Sequence, residues 1–209
     1  MRRFEDRRHA GRLLGSLLSH LAGTRPVVLG IPRGGVVVAA EIADALGGSL
    51  GALVAVKVRA PFNQELAIGA VAPGAEPTLD RGLLDRLGLS PADCDRAVEV
   101  AVAEASRRQS VFGAVPPLEG ATIVVADDGV ATGATLEAAL GRARGGRPDR
   151  LVCAIPVGPP DTVARLAALV DEMVCPLQPA RFGAVGEFFE DFGQVPDDEV
   201  LSLLGRPPA

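Results

Sequence analysis

The sequence predicts an α/β fold: an open, mostly parallel sheet with helices on both faces. Short apolar, β-branched runs recur along the chain, and most are followed by a segment of helical period. That alternation is the pattern of strands joined by crossover helices. The runs are apolar at consecutive positions, as in strands covered on both faces. Two of the junctions after them are rich in glycine and carry charged residues. Such junctions fall at the carboxyl ends of parallel strands, where sheets of this kind bind ligands.

The chain has 209 residues, enough for one sizeable core with a small appendage. Hydrophobic residues make up 48%, but no run approaches membrane-spanning length, so a soluble protein without a membrane partner is expected. Charged Glu5, Asp6, Arg7 and Arg8 follow Arg2 and Arg3 in place of an apolar segment, which argues against a signal peptide. The net charge of −5 argues against general nucleic-acid binding. Cys94, Cys153 and Cys175 lie far apart with no CxxC, reading as reduced thiols of a cytoplasmic protein. With His9 and His20 the only histidines, neither a zinc site nor a histidine general base is expected.

Taken in order, residues Arg7 to Leu21 predict an amphipathic packing helix, with Leu13, Leu14, Leu17, Leu18 and Leu21 on one side. Pro26 to Ile31 is the first buried strand. It ends in Pro32-Arg33-Gly34-Gly35, and a helix continues from Val36 to Leu46. The junction is either a tight turn with a surface arginine or a loop presenting N–H groups and a forked donor to an anion. Leu53 to Arg59 reads as the next strand, with Lys57, the only lysine of the chain, and Arg59 on one face at its end. Ala60 to Glu65 reads as loop. Leu66 to Ala72, with Pro77 to Leu79 as return strand, reads as a hairpin. Asp80 to Leu87 is a short helix, and Ser90-Pro91-Ala92-Asp93 is a capping box opening a long helix to about Gln109. Strands at Leu151–Val157 and Glu172–Leu177 flank a helix at Asp161–Val170. The tail from Phe182 to Phe192 holds four of the seven phenylalanines. These form either a satellite core at the sheet edge or a hood with a ring, Phe188 or Phe189, stacked on a flat ligand. Pro196 to Val200 opens a terminal helix with acids in its first turn.

The organising stretch is Ala121 to Thr135, ATIVVADDGVATGAT. An apolar strand, Ile123 to Ala126, leads into Asp127 and Asp128, then into the small-residue loop Gly129 to Thr135 and a helix. Glycines let the backbone approach a ligand, and the helix N-terminus offers unpaired N–H groups to a phosphate. Carboxylates are poor neighbours for a phosphate. They make sense if they hold the hydroxyls of a sugar that carries it, or a hydrated cation.

This string resembles the phosphoribosyl pyrophosphate motif of the type I phosphoribosyltransferases: apolar strand, two acids, two variable residues, a small residue and TGxT. The resemblance implies that Asp127 and Asp128 bind the ribose hydroxyls and, directly or indirectly, Mg2+. It implies that Val130, Ala131, Thr132, Gly133, Ala134 and Thr135 wrap the 5′-phosphate. Arg33, Gly34, Gly35, Lys57 and Arg59 would take the pyrophosphate, with a mobile flap at about residues 59–80. The core would occupy residues 1–180 and a C-terminal hood residues 181–209. The implied reaction is transfer of ribose 5-phosphate from phosphoribosyl pyrophosphate to a purine or pyrimidine base, in nucleotide salvage, with Asp127, Asp128, Lys57 and Arg33 as the catalytic set. A homodimer is implied on the same ground.

One position departs from the hypoxanthine–guanine pattern: Ala131 stands where those members carry an aspartate before TGxT. Adenine- and uracil-type members also have alanine there. No general base is then obvious unless Glu65, Glu187, Glu190 or Asp191 reaches the acceptor. The rival reading is a non-catalytic phosphoribosyl pyrophosphate sensor. A sugar-phosphate hydrolase would need a positioned nucleophile and base, and none stands out.

Overall fold

The computed structural model describes residues 3–207; the outermost ends of the two expected units, residues 1–2 and 208–209, lie outside them. Five strands form a parallel sheet: β1 (Val27–Gly30), β2 (Ser49–Ala52), and, counting past the flap strands named below, β6 (Thr122–Ala126), β7 (Arg150–Ala154) and β8 (Glu172–Val174). Their order is β2-β1-β6-β7-β8. The chain moves one way from β1 to β2 and the other way from β6 to β8. The reversal lies between β1 and β6, and at such a switch point a crevice opens beyond the carboxyl ends. Ile31 N–H donates to the Ala126 carbonyl at 3.0 Å, joining the two strand ends there.

Alternation explains why β6 is apolar from Ile123 to Ala126. Ile123 and Val125 enter one core with Leu136 and Leu140 of α5 (Ala134–Gly145) and Val163 and Leu166 of α6 (Pro160–Ala167). Val124 and Ala126 enter the opposite core with Leu14 of α1 (Arg7–Leu17) and Val38 and Ile42 of α2 (Gly34–Leu46). Successive side chains leave a strand on opposite faces, so a strand between two helix layers has no polar position. The predicted α/β architecture with helices on both faces is the one observed.

A second, antiparallel sheet holds β3 (Val56–Ala60), β4 (Asn63–Val71) and β5 (Thr78–Leu79). Here two expectations are corrected. Leu53 to Arg59 is not one strand: β2 lies earlier, Leu53–Ala55 is a link, and β3 belongs to the flap sheet. Ala60 to Glu65 is not a loop but the end of β3, a two-residue turn and the start of β4. Gln109 of α4 (Pro91–Phe112) explains the link. Its Oε1 accepts from Val54 N–H at 2.9 Å, and its Nε2 donates to the Ala52 carbonyl at 3.1 Å. A side chain thus satisfies backbone groups that no neighbouring strand reaches. The hairpin expected at Leu66–Ala72 and Pro77–Leu79 is present, with Gly69 opposite Leu79 and Ala70 opposite Thr78. The flap sheet rests on α4 through Val58, Ile68 and Val71 against Ala101. Ser90 and Asp93 form the reciprocal cap at the start of α4, preceded by α3 (Arg81–Leu87).

The first helix is shorter than predicted, giving way after Leu17 to a 3-10 turn at Ser19–Thr24. The tail is laced to the N-terminal segment. Phe4 N–H donates to the Phe188 carbonyl and Glu190 N–H to the Phe4 carbonyl, both at 2.8 Å. Helix α7 (Asp197–Leu203) packs elsewhere, against Val36 and Val37 of α2.

Candidate active site

The loop after β6 is held by its neighbours. Val130 N–H donates to the Val157 carbonyl at 2.9 Å, and Val130 itself is buried against the core. Gly133, with φ +85°, turns the chain into α5, a backbone that glycine adopts without strain. Helix α6 engages the outer side of the loop. Thr162 Oγ1 donates to the Ala131 carbonyl at 2.9 Å, and Arg165 Nη2 to the Thr132 carbonyl at 2.6 Å. Arg165 also pairs with Glu137 of α5. With these carbonyls held, the N–H groups of Ala131, Thr132 and Gly133 donate to no protein acceptor among the described residues. Together with the first N–H groups of α5 they leave a run of backbone donors free, suited to an anion.

The loop after β1 presses against the acid pair. A Cβ on Gly34 would collide with the Asp128 carboxylate and stand 2.7 Å from Arg7 Nε. One on Gly35 would stand 2.8 Å from the Ala126 carbonyl oxygen and 2.9 Å from Asp127. Only glycines let the two strand ends close up here. The Pro32–Arg33 peptide is cis, and Arg33 Nη1 lies 3.7 Å from Asp197 Oδ1 of α7.

Arg33, Gly34, Asp127, Asp128 and Thr135 line one cavity of 480 Å³. Lys57 and Arg59 do not. They line a neighbouring cavity of 560 Å³ between flap and α4, which meets the first at Thr135. A third hollow of 470 Å³ joins Arg33 to Arg107 and Arg108 of α4. Lys57 and Arg59 share the exposed face of β3, despite a bulge between Val58 and Ala60.

Asp127 and Asp128 differ in their partners. Asp127 Oδ1 accepts from the Asp128 N–H at 2.8 Å. Asp128 Oδ2 accepts from Arg7 Nε at 2.6 Å. Burial pushes the Asp127 carboxyl well above the ordinary carboxylate range, and the nearby charge of Asp128 adds to it. Burial also raises Asp128, with Arg7 pulling the other way.

The tail calls for a further correction. Phe188 and Phe189 do not face the cavity: they are 0% and 3% exposed, in a satellite core with Phe4, Ala10 and Val157. Phe192 and Val185 line the cavity instead. Arg7 is the residue that sequence reasoning missed. Its guanidinium carbon lies 3.8 Å from the Phe192 ring centroid, and its Nη1 donates to the Gly193 carbonyl at 2.8 Å. Its partner Asp128 is 121 residues away, so no local pattern marks it.

Among the described residues, no group of three or more His, Cys, Asp or Glu side chains could hold a metal ion, and no helix is long and apolar enough to cross a membrane. Asp128 is engaged by Arg7, which leaves Asp127 as the carboxylate for Mg2+, a cation that keeps most of its waters and takes few protein ligands when substrate phosphates supply the rest.

The family model for the phosphoribosyl transferase domain matches residues 4–187. Two proteins of Mycobacterium tuberculosis, from strains CDC 1551 and H37Rv and both provisionally named phosphoribosyl transferases, are 43% identical over 209 residues, covering 99% of this chain and 47% of theirs. The chain thus spans about half the length of the curated relatives it matches. The crystal structure of TT1426 from Thermus thermophilus is 43% identical, covers 98% of both chains and superposes with a TM-score of 0.80. A hypoxanthine-guanine phosphoribosyltransferase from Bacillus anthracis, at 12% identity over 87% of this chain and 82% of its own, reaches 0.50 and shows a likeness of fold alone. From its central motif to the reach of the family match, the chain belongs to the phosphoribosyl transferase domain family and has the type I fold.

Proposed function

We propose that this protein transfers ribose 5-phosphate from Mg2+-bound phosphoribosyl pyrophosphate to a nitrogenous base and releases pyrophosphate. The observation that carries the reading is the loop that follows Asp127 and Asp128: Thr162 and Arg165 engage the carbonyls of Ala131 and Thr132, while the N–H groups of residues 131–133 donate to no protein acceptor among the described residues.

In this reading the loop and the α5 N-terminus take the 5′-phosphate, and Asp127 takes the ribose diol. Arg33, Lys57 and Arg59 meet the leaving pyrophosphate, which the glycines at 34 and 35 admit to the backbone. Bond breaking at the anomeric carbon leaves an oxocarbenium-like sugar, so the work is positioning and charge stabilisation more than proton transfer. Mg2+, held by Asp127 and the substrate's own oxygens, would supply charge neutralisation of the departing pyrophosphate. The same reading includes a homodimer, which light scattering checks.

A second reading shares the binding site but not the turnover: the chain binds phosphoribosyl pyrophosphate as a sensor without transferring its sugar. Isothermal titration tests what the two share: Mg2+-dependent binding that weakens at least tenfold in Asp127→Asn. Unchanged affinity would reject the ribose assignment. Pyrophosphate release stimulated by one base of a broad panel supports the transferase, and release by none supports the sensor.

A further inference from the structure

Two basic residues line the cavity that holds Asp127 and Asp128: Arg33 and Arg7. They are held differently. The side chain of Arg33 is 46% exposed and reaches toward Asp197 of α7. That of Arg7 is 12% exposed and is fixed on three sides. Its Nε donates to Asp128 Oδ2, its Nη1 donates to the Gly193 carbonyl, and its guanidinium carbon lies over the Phe192 ring. Phe192 is in turn packed against Phe189, with centroids 4.8 Å apart. A guanidinium held this firmly has little freedom left to lose when a ligand arrives.

Arg7 also touches the loop after β1. A Cβ on Gly34 would stand 2.7 Å from Arg7 Nε and 2.7 Å from the Asp128 carboxyl carbon, so the ion pair lies directly against that loop. The transferase reading places the leaving pyrophosphate there, and a bare carboxylate at that spot would repel it. Lys57 and Arg59, further cations of that reading, line the neighbouring cavity between flap and α4. Asp128 does not use up the guanidinium. The group is planar, and Nη2 shares with Nε the edge that faces the carboxylate. Nη2 has no acceptor among the described residues, and no buried side-chain nitrogen there lacks one, so Nη2 stays open to solvent on that edge.

We propose that Arg7 is a further residue of the pyrophosphate site: it covers the Asp128 carboxylate where that group meets the Gly34 loop, and its spare N–H groups donate to the departing anion. Negative charge grows on the pyrophosphate as the anomeric bond breaks. A fixed donor at this place therefore counts for more in the transition state than in the ground state. Asp128 is then a positioning residue, which holds Arg7 and is itself kept from repelling the ligand, while Asp127 serves the sugar. The inference rests on the transferase reading for what occupies the Gly34 loop.

The test compares inorganic pyrophosphate, in excess Mg2+, with ribose 5-phosphate, each titrated by calorimetry into the full chain. Arg7→Gln should weaken pyrophosphate by about tenfold or more, the loss expected for one charge-assisted hydrogen bond, and leave ribose 5-phosphate nearly unchanged. Arg7→Lys, which keeps the charge, should recover part of the loss. Asp128→Asn removes the repelling charge but keeps an oxygen for Nε, so it should hold or tighten pyrophosphate. Opposite effects of the two variants separate this role from a structural one, in which breaking the pair from either side does the same harm. Melting curves show that the variants fold. Pyrophosphate affinity unchanged in Arg7→Gln, weakened alike in Arg7→Gln and Asp128→Asn, or lost together with that for ribose 5-phosphate would overturn the assignment of Arg7. So would a parent protein that binds ribose 5-phosphate but no pyrophosphate. A parent protein that binds neither ligand would sink the transferase reading itself.

Discussion

Gly35 and Asp127 are in contact across the switch point: a Cβ on Gly35 would lie 2.9 Å from both Cα and Oδ1 of Asp127. The loops after β1 and β6 therefore have one way of fitting together. Gly35→Ala has to move backbone, because the Ala126 carbonyl oxygen is also 2.8 Å from that Cβ. Overpacking of this kind costs about 1–3 kcal/mol. Differential scanning calorimetry should show a fall in Tm of roughly 2–12 °C for a chain of this size. Phosphoribosyl pyrophosphate affinity should fall by about tenfold or more, since about 1.4 kcal/mol of lost binding is a tenfold change. An unchanged Tm would mean that the loops are not locked together.

Asp127 yields a pH-dependent prediction. Burial and the neighbouring carboxylate raise its folded value, so the folded protein keeps a proton that the unfolded chain gives up near pH 3.9, roughly the free value. The group's stabilising contribution is then complete below that value and is lost as pH rises through the folded one. Asp127→Asn removes the loss. Its Tm should exceed the parent's at pH 7.5, and the gap should narrow toward pH 4. A gap constant with pH would contradict the raised carboxyl.

Arg165 offers a way to loosen the anion loop without touching the ligand's own contacts. It is partly exposed, so its pairing with Glu137 is worth only about 0–1 kcal/mol of stability. Arg165→Met with Thr162→Val frees the carbonyls of Ala131 and Thr132. Phosphoribosyl pyrophosphate should bind about tenfold more weakly, a loss of roughly 1.4 kcal/mol, with far-UV circular dichroism unchanged. Full affinity in the double variant would show that the loop holds its shape unaided.

Gln109 is predicted to matter for stability and not for chemistry. Gln109→Leu leaves the Val54 N–H and the Ala52 carbonyl without their partner, at a cost of about 1–3 kcal/mol for a buried unpaired group. Urea denaturation should register that loss. Hydrogen exchange at Val54 should rise ahead of exchange in β6.

The parallel sheet was legible because β6 and β7 are apolar at nearly every position and each is followed by a helical period. Strand β2, Ser-Leu-Gly-Ala, was not: serine and glycine are weak strand formers, and only its place beside β1 makes it one. The richer apolar run that follows it, Leu53 to Ala55, drew the expectation of a strand but serves as the link to the flap. In the site, Asp127, Thr135 and Gly34–Gly35 announced themselves through spacing. Phe192 was visible only as one of four tail phenylalanines, because an irregular segment has no period that tells which ring turns inward. Arg7 looked like any charge on an amphipathic helix, since its meaning depends on Asp128.

The grip of Thr162 and Arg165 on the anion loop has a thermodynamic corollary. These bonds are made by protein atoms alone, so the loop's conformational freedom is surrendered when the chain folds and not when a ligand arrives. Preorganisation of that kind raises affinity by sparing the complex an ordering penalty. Capturing an anion should then leave the backbone dynamics of residues 130–135 nearly unaltered, and the rigidity that makes α6 look like plain scaffold becomes part of the binding energy.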